Sequence, residues 1–335
     1  MKGFMKRIFF GFMMLVVFSA SAALTEQQAK QLYQDKNYNE LITQIDNNAS
    51  QKVVKYKVHA YVKQKEFEQA VDLIESRIKA FDANNKAGLS KEWLMKGDVH
   101  AQQAMDASIF TASSYAEDCL NAYKTAHKLQ PDDLVTNKSL IGFYMGAPSF
   151  VGGDTDKAYE LAQLLEKNFP YEGGMTVFHS LKSLDEIEKA ESKLQALLTD
   201  YPKNHEIALQ AVYFYQQQEW FEKNQQLLNQ SITWLKPEDE EQHHDWFLVH
   251  YYHAKNSIEL KTDLDKALAS IKTFQQGPTT LTEAFEQWPV LREAQILLLM
   301  GEKQQAITLA KQARSASEDK KLRKKAKRLI KKGRI

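Results

Sequence analysis

The sequence predicts an all-α chain, an α-α superhelix built as a solenoid of about eight helical hairpins. Three observations carry that expectation. The 335 residues hold only 13 glycines and 7 prolines, about half the usual share, which disfavours sandwiches, barrels and propellers with their many tight turns. Pro131, Pro170, Pro202, Pro237 and Pro278 recur at spacings of 39, 32, 35 and 41 residues, each after an amphipathic run. A small residue stands about twelve places before each unit's end: Ala70, Cys119, Ala158, Ala190, Ala267 and Ala306, with Asn224 as a polar exception. A proline stops a helix because it lacks the N–H and clashes with the preceding turn. A small residue lets two helix backbones approach.

The chain opens with Lys2, Lys6 and Arg7, then an apolar run from Ile8 to Phe18 broken by Gly11, then Ser19-Ala20-Ser21-Ala22-Ala23. This is the pattern of an export signal, too short to span a bilayer comfortably. Cleavage is expected after Ala22, with Ala23 as the alternative site. An uncleaved anchor over Ile8 to Leu24 is the competing reading. No cysteine follows the run, so no lipoprotein anchor is expected, and a bacterial product would be periplasmic. One cysteine, Cys119, excludes an intramolecular disulfide and any multi-cysteine metal site.

Beyond residue 22 the text repeats itself. Lys65-Glu66-Phe67-Glu68-Gln69-Ala70, Tyr115-Ala116-Glu117-Asp118-Cys119, Asp185-Glu186-Ile187-Glu188-Lys189-Ala190 and Gly301-Glu302-Lys303-Gln304-Gln305-Ala306 are variants of one phrase. Each follows a second apolar-periodic stretch. The segment from Tyr115 to Pro131 resembles the second helix of a tetratricopeptide repeat, with Cys119 and Ala126 at its small positions and Tyr123 at its large one. Trp93 and Gly97 resemble the start of that family's first helix. The resemblance implies a scaffold that binds a protein or peptide partner on the concave face lined by first helices. It covers Thr25 to Ala316 and is weakest at Thr25 to Asn48 and at Asn224.

Two units are long. An insert near Met105 to Ser114 is expected to lengthen a first helix or its turn, and a longer first helix is expected before Ala267. The domain expectation is a signal over 1–22, a solenoid over 23–316, and a basic capping helix or tail over 317–335. The net charge of +1 hides +3 in the first seven residues, +10 from Lys320 onward and −12 between them. Leu322, Ala326, Leu329 and Ile330 form a thin apolar stripe in that tail. It is expected to dock while its charges face outward, capping the array or meeting an anionic surface.

Three places are candidate sites. The loop Pro148-Ser149-Phe150-Val151-Gly152-Gly153-Asp154 lacks the Lys-Ser/Thr of a phosphate loop. It is similar to an insert in periplasmic tetratricopeptide proteins, including the T component of TRAP transporters. It reads as a structural turn, with a contact loop as the alternative. His243, His244, His250 and His253 lack the i, i+4 pair that zinc sites favour, unless Glu240 pairs with His244, so no metal is expected. Counting from the small positions and from Trp246 places His179, Lys182, Tyr213, Gln216, Phe247, Tyr251 and Gln295 on the concave face, residue types suited to recognition.

No nucleophile–base motif or cofactor fingerprint occurs, so the chain is expected to be no enzyme and to need no cofactor. The leading function is an exported scaffold for a peptide or protein segment. The alternatives are an auxiliary subunit of a periplasmic solute transporter and an envelope-surface protein held by Lys320–Arg334. Nucleic acid is not an expected partner of an exported protein.

Overall fold

The computed structural model describes residues 23–108 and 110–333; the export-signal expectation for residues 1–22 lies outside them. The described residues form eighteen α-helices and one 3-10 turn, with no strand. The chain divides into two compact units between Leu161 and Ala162. That point lies inside a continuous helix, so no linker composition marks it.

The first unit holds α1 (Glu26–Gln34) and α2 (Tyr38–Gln44), α3 (Gln51–Lys63) and α4 (Phe67–Ala80), α5 (Lys86–Asp106) and α6 (Ala112–Leu129), then α7 (Leu134–Gly146), the 3-10 turn Ser149–Val151 and the start of α8 (Thr155–Asn168). The second holds the end of α8, α9 (Pro170–Ser183) and α10 (Ile187–Asp200), α11 (His205–Gln217) and α12 (Phe221–Trp234), α13 (His243–Leu260) and α14 (Leu264–Gln275). It continues with a short α15 (Thr279–Ala284), α16 (Trp288–Leu299) and α17 (Lys303–Ser315), and ends on α18 (Lys320–Lys332). The eight expected hairpins are all present, and α15 is an addition. Each of the five repeat prolines falls two or three residues after a second helix, and Pro170 also opens α9.

Within a hairpin the two helices meet at the small position. Ala70, Cys119, Ala158, Ala190, Ala267 and Ala306 have no solvent exposure, and neither has Asn224. Asn224 fits there because its Nδ2 donates to the Val212 carbonyl of the paired helix at 3.3 Å. Burial pushes the Cys119 thiol up to about 12, which makes it inert as a nucleophile.

Six first helices end in one device. A left-handed residue closes each one, at Lys36, Lys65, Asp185, Glu219 and Gly301 one place after the cap and at Lys261 in the cap itself, with φ from 56 to 92 degrees. The next N–H returns to the last turn, as in Glu66 N to Tyr61 O and Trp220 N to Tyr215 O, both 2.9 Å. This Schellman closure satisfies carbonyls that a helix end leaves open. Only one of the six uses glycine, so the turn is held by packing of the hairpin rather than by local preference.

The expected insert near Met105 to Ser114 spans the end of one helix, a joint and the start of the next. Helix α5 runs 21 residues and α6 runs 18, leaving 107–111 as the joint. Helix α13 runs 18 residues, the expected longer first helix. The tail is a docked helix. Leu322, Ala326 and Leu329 are fully buried against α16 and α17. Asp319 caps it through the N–H groups of Lys321 and Leu322, and its other oxygen accepts the Trp288 indole N–H at 3.0 Å.

Candidate functional site

In the second unit, α9, α11 and α13 are successive first helices whose inner sides pack into the hairpin cores. Phe178 and Phe214 meet edge to face at 5.5 Å and are fully buried. His179, after Phe178, and Tyr213, before Phe214, are half-buried, whereas Tyr215, after Phe214, is enclosed. The accessible stripe of α13 is Tyr252, Lys255 and Glu259, spaced three and four residues apart on one helical face.

Tyr213 and Tyr252 form the centre of this face, edge to face with centroids 5.3 Å apart. Burial raises both phenols above the usual tyrosine range; Asp245 adds to the effect at Tyr213, and the neighbouring tyrosines at Tyr252. Both therefore stay neutral donors at physiological pH. Gln216 Nε2 donates to Asn256 Oδ1 at 3.0 Å, and Asn256 in turn donates to Phe221 O and Gln225 Oε1. Gln216 Oε1 is buried with no hydrogen-bond partner. Lys182 lies 5.3 Å from the Phe178 ring, and burial lowers its pKa. The patch offers two rigid aromatic edges, an amide held in place and a cation, which suits an extended backbone with apolar side chains.

Three expected contact residues are elsewhere. Phe247 and Tyr251 are buried core residues. Tyr251 lies 5.0 Å from Phe274 and 4.5 Å from Phe285, ring centre to ring centre. The accessible side of α13 lies one residue on from the expected register, and α15 delivers Phe285 over Tyr251. Tyr252 is the residue that faces Tyr213. Gln295 is also buried, and its Oε1 accepts a hydrogen bond from Arg292 Nη1 at 2.9 Å. Of the seven, His179, Lys182, Tyr213 and Gln216 retain exposure.

The loop after α7 has a structural account. Gly152 has φ 98 degrees and lies against Leu120, and a Cβ on Gly153 would fall 1.8 Å from the Ala147 carbonyl oxygen. Pro148 precedes the 3-10 turn, and Asp154 accepts from Lys157 N at 3.1 Å and Lys157 Nζ at 2.6 Å, starting α8. Of the histidines, His243 Nδ1 bonds the Pro237 carbonyl, while His250 and His253 share Ser270 Oγ at 3.2 and 3.1 Å. No cluster of three metal-ligating groups occurs among the described residues.

A second candidate, not anticipated, lies in the first unit. Lys52, Lys55 and His59 on α3 and Lys91, Leu94, Met95 and Asp98 on α5 line a groove of about 570 Å³. Lys55 is paired with Glu26 at 3.0 Å. Asp98 is raised by burial despite accepting the Tyr123 hydroxyl at 2.7 Å. The spacing of Lys52, Lys55 and His59 on one face of α3 was the available signal.

The architecture is a run of paired helices. No family model matches the chain, and no curated protein matches it. Solved structures similar to it include a tetratricopeptide repeat protein from Parabacteroides merdae, 16% identical, covering 87% of this chain and 98% of that one, with a TM-score of 0.45. Another is the C-terminal part of a TPR repeat-containing protein from Cytophaga hutchinsonii, 16% identical, covering 78% and 98%, with a TM-score of 0.46. A third is the APC/C hetero-tetramer Cut9-Hcn1, 11% identical, covering 92% of this chain and 52% of that one, with a TM-score of 0.49.

Proposed function

We propose that the protein is an exported, non-catalytic repeat scaffold that holds an extended peptide segment of a protein partner along α9, α11 and α13. The observation that carries this reading is the half-exposed Tyr213–Tyr252 pair beside the anchored Gln216 amide. Aromatic pairs of this kind give contact area with little loss of side-chain freedom. The test is hydrogen exchange on the chain with and without peptides selected on it from a random library. Protection along α9, α11 and α13 supports the reading. Protection confined to α10, α12 and α14 contradicts it.

Export rests on the pattern of residues 1–22. N-terminal sequencing of the secreted chain should begin at Ala23, and an intact Met1 in the membrane fraction would contradict export. A second contact, with an anionic envelope surface, is favoured by the exposed basic side of α18, including Lys320, Lys324, Lys327 and Lys331. A transporter-subunit role has only the likeness of the Gly152–Gly153 loop behind it, and a transporter gene beside this one is the observation that would favour it.

A further inference from the structure

We propose that the cavity between α12, α13 and α14 binds a small hydroxycarboxylate, whose hydroxyl donates to His250 Nε2 and whose carboxylate pairs with Lys266. The cavity measures about 420 Å³, and His250, His253, Lys266 and Ser270 line it. A chain of hydrogen bonds runs through its wall. His253 Nε2 lies 3.1 Å from Asn229 Oδ1, and His253 Nδ1 lies 3.1 Å from Ser270 Oγ. The same hydroxyl lies 3.2 Å from His250 Nδ1. His250 is 8% exposed and His253 1%.

Counting protons assigns each position in that chain. Burial holds both histidines down to about 4, so both rings are neutral at pH 7. An amide oxygen only accepts, so His253 Nε2 carries the proton that faces Asn229. His253 Nδ1 is then bare and takes the Ser270 hydroxyl proton. The Ser270 oxygen accepts from His250 Nδ1–H, and His250 Nε2 is left as a lone pair. That nitrogen is buried and has no hydrogen-bond partner among the described residues. A buried acceptor is costly to leave open, so the position calls for a group that donates. Turning the Asn229 amide over would reverse every proton in the chain and protonate Nε2, which the ring nitrogen resonances distinguish.

The rest of the lining says what else the ligand carries. No acid lines the cavity; Asp263 acts on His253 by charge but stands outside the lining. Lys266 is an exposed cation there, so a carboxylate gains a charge-assisted hydrogen bond and an ammonium group is repelled. Thr273 adds a hydroxyl and Asn229 an amide N–H that the chain does not use, while Ile232 gives the carbon skeleton an apolar wall. A metal ion on His250 Nε2 would face the Lys266 charge, and no cluster of three metal-ligating groups occurs among the described residues. A molecule with a hydroxyl to donate and a carboxylate to accept matches these groups. The cavity shares no lining residue with the tyrosine face, so its occupant is independent of what that face holds.

The test is calorimetry on the full chain with D-lactate and D-glucuronate, a small and a large hydroxycarboxylate. At least one should bind. Its counterpart without hydroxyls (propionate or cyclohexanecarboxylate) and its counterpart without charge (lactamide or glucose) should each bind about tenfold more weakly, the loss of one strong hydrogen bond. Lys266→Gln should bring the acid down to the level of its uncharged counterpart. Lys272→Gln removes an exposed charge of the same helix from outside the lining, and should leave affinity within about twofold. Long-range proton–nitrogen NMR at neutral pH should show His250 Nε2 unprotonated in the free chain and shifted when the acid binds. His250→Phe should abolish the advantage over the hydroxyl-free acid; because His250 is buried and that variant can fail to fold, the nitrogen resonance and Lys266→Gln decide. The proposal is overturned if neither acid binds, or if the hydroxyl-free acid binds as tightly. It is overturned equally if Lys266→Gln binds like wild type, if Lys272→Gln weakens binding as much, or if His250 Nε2 carries the proton.

Discussion

Arg77 holds Glu92 through two hydrogen bonds to one carboxylate oxygen, from Nη2 at 2.8 Å and Nε at 3.1 Å, and Glu92 has no solvent exposure. Arg77 Nη1 also donates to the carbonyls of Asn47 and Ala49, and Gln51 Nε2 donates to the same Glu92 oxygen. The cluster therefore ties α3, α4 and α5 to the link between α2 and α3. Breaking it from one side strands a buried charge. Arg77→Met should destabilise the first unit by about 3–5 kcal/mol, and Arg77→Met with Glu92→Leu should recover most of the loss. Urea denaturation of the two variants checks this; equal losses would show that the charges are not coupled.

Two glycines should respond in opposite directions. Gly142 is exposed within α7, and an added Cβ meets nothing within 4 Å. Gly142→Ala should raise stability by about 0.5–1 kcal/mol through helix propensity. A Cβ on Gly173 would fall 2.3 Å from Glu166 Cα, against backbone that cannot turn aside. Gly173→Ala should lower stability by about 1–3 kcal/mol, read from thermal unfolding.

Acid should loosen the second unit. His250 and His253 are held down to about 4, by burial first; His253 adds to the shift at His250, and Lys266 against Asp263 tunes His253. The unfolded chain protonates these rings near pH 6.5. The stability that neutral rings contribute is thus complete above about pH 6.5 and is lost as pH falls toward about 4. The melting temperature should drop between pH 7 and pH 5, and His250→Gln with His253→Gln should flatten that slope. An unchanged slope would place the acid response elsewhere.

What was legible in the sequence is what repeats. The prolines after Leu129, Asn168, Asp200, Trp234 and Gln275 and the buried residues from Ala70 to Ala306 state the hairpin grammar in local chemistry. Tyr213 and Gln216 were reachable because α11 keeps the common length and closure. Tyr251 was misplaced because α13 is longer and because Phe285 arrives from a helix with no counterpart in the repeat. The Arg77–Glu92 pair joins residues in different hairpins, and no spacing rule announces it. The division inside α8 left no trace in composition, because it is a change in packing along an unbroken helix.

The most direct test of the central claim is the affinity of one library-selected peptide for Tyr213→Ala, Tyr252→Ala and Tyr251→Ala. The account predicts about a thirtyfold loss for Tyr213→Ala and for Tyr252→Ala, about 2 kcal/mol as for a hot spot, with melting temperatures close to wild type. It predicts that Tyr251→Ala lowers the melting temperature instead, since a buried aromatic is lost at about 3–5 kcal/mol. Wild-type affinity in both folded Tyr213→Ala and Tyr252→Ala would contradict the claim that this face is where the partner binds.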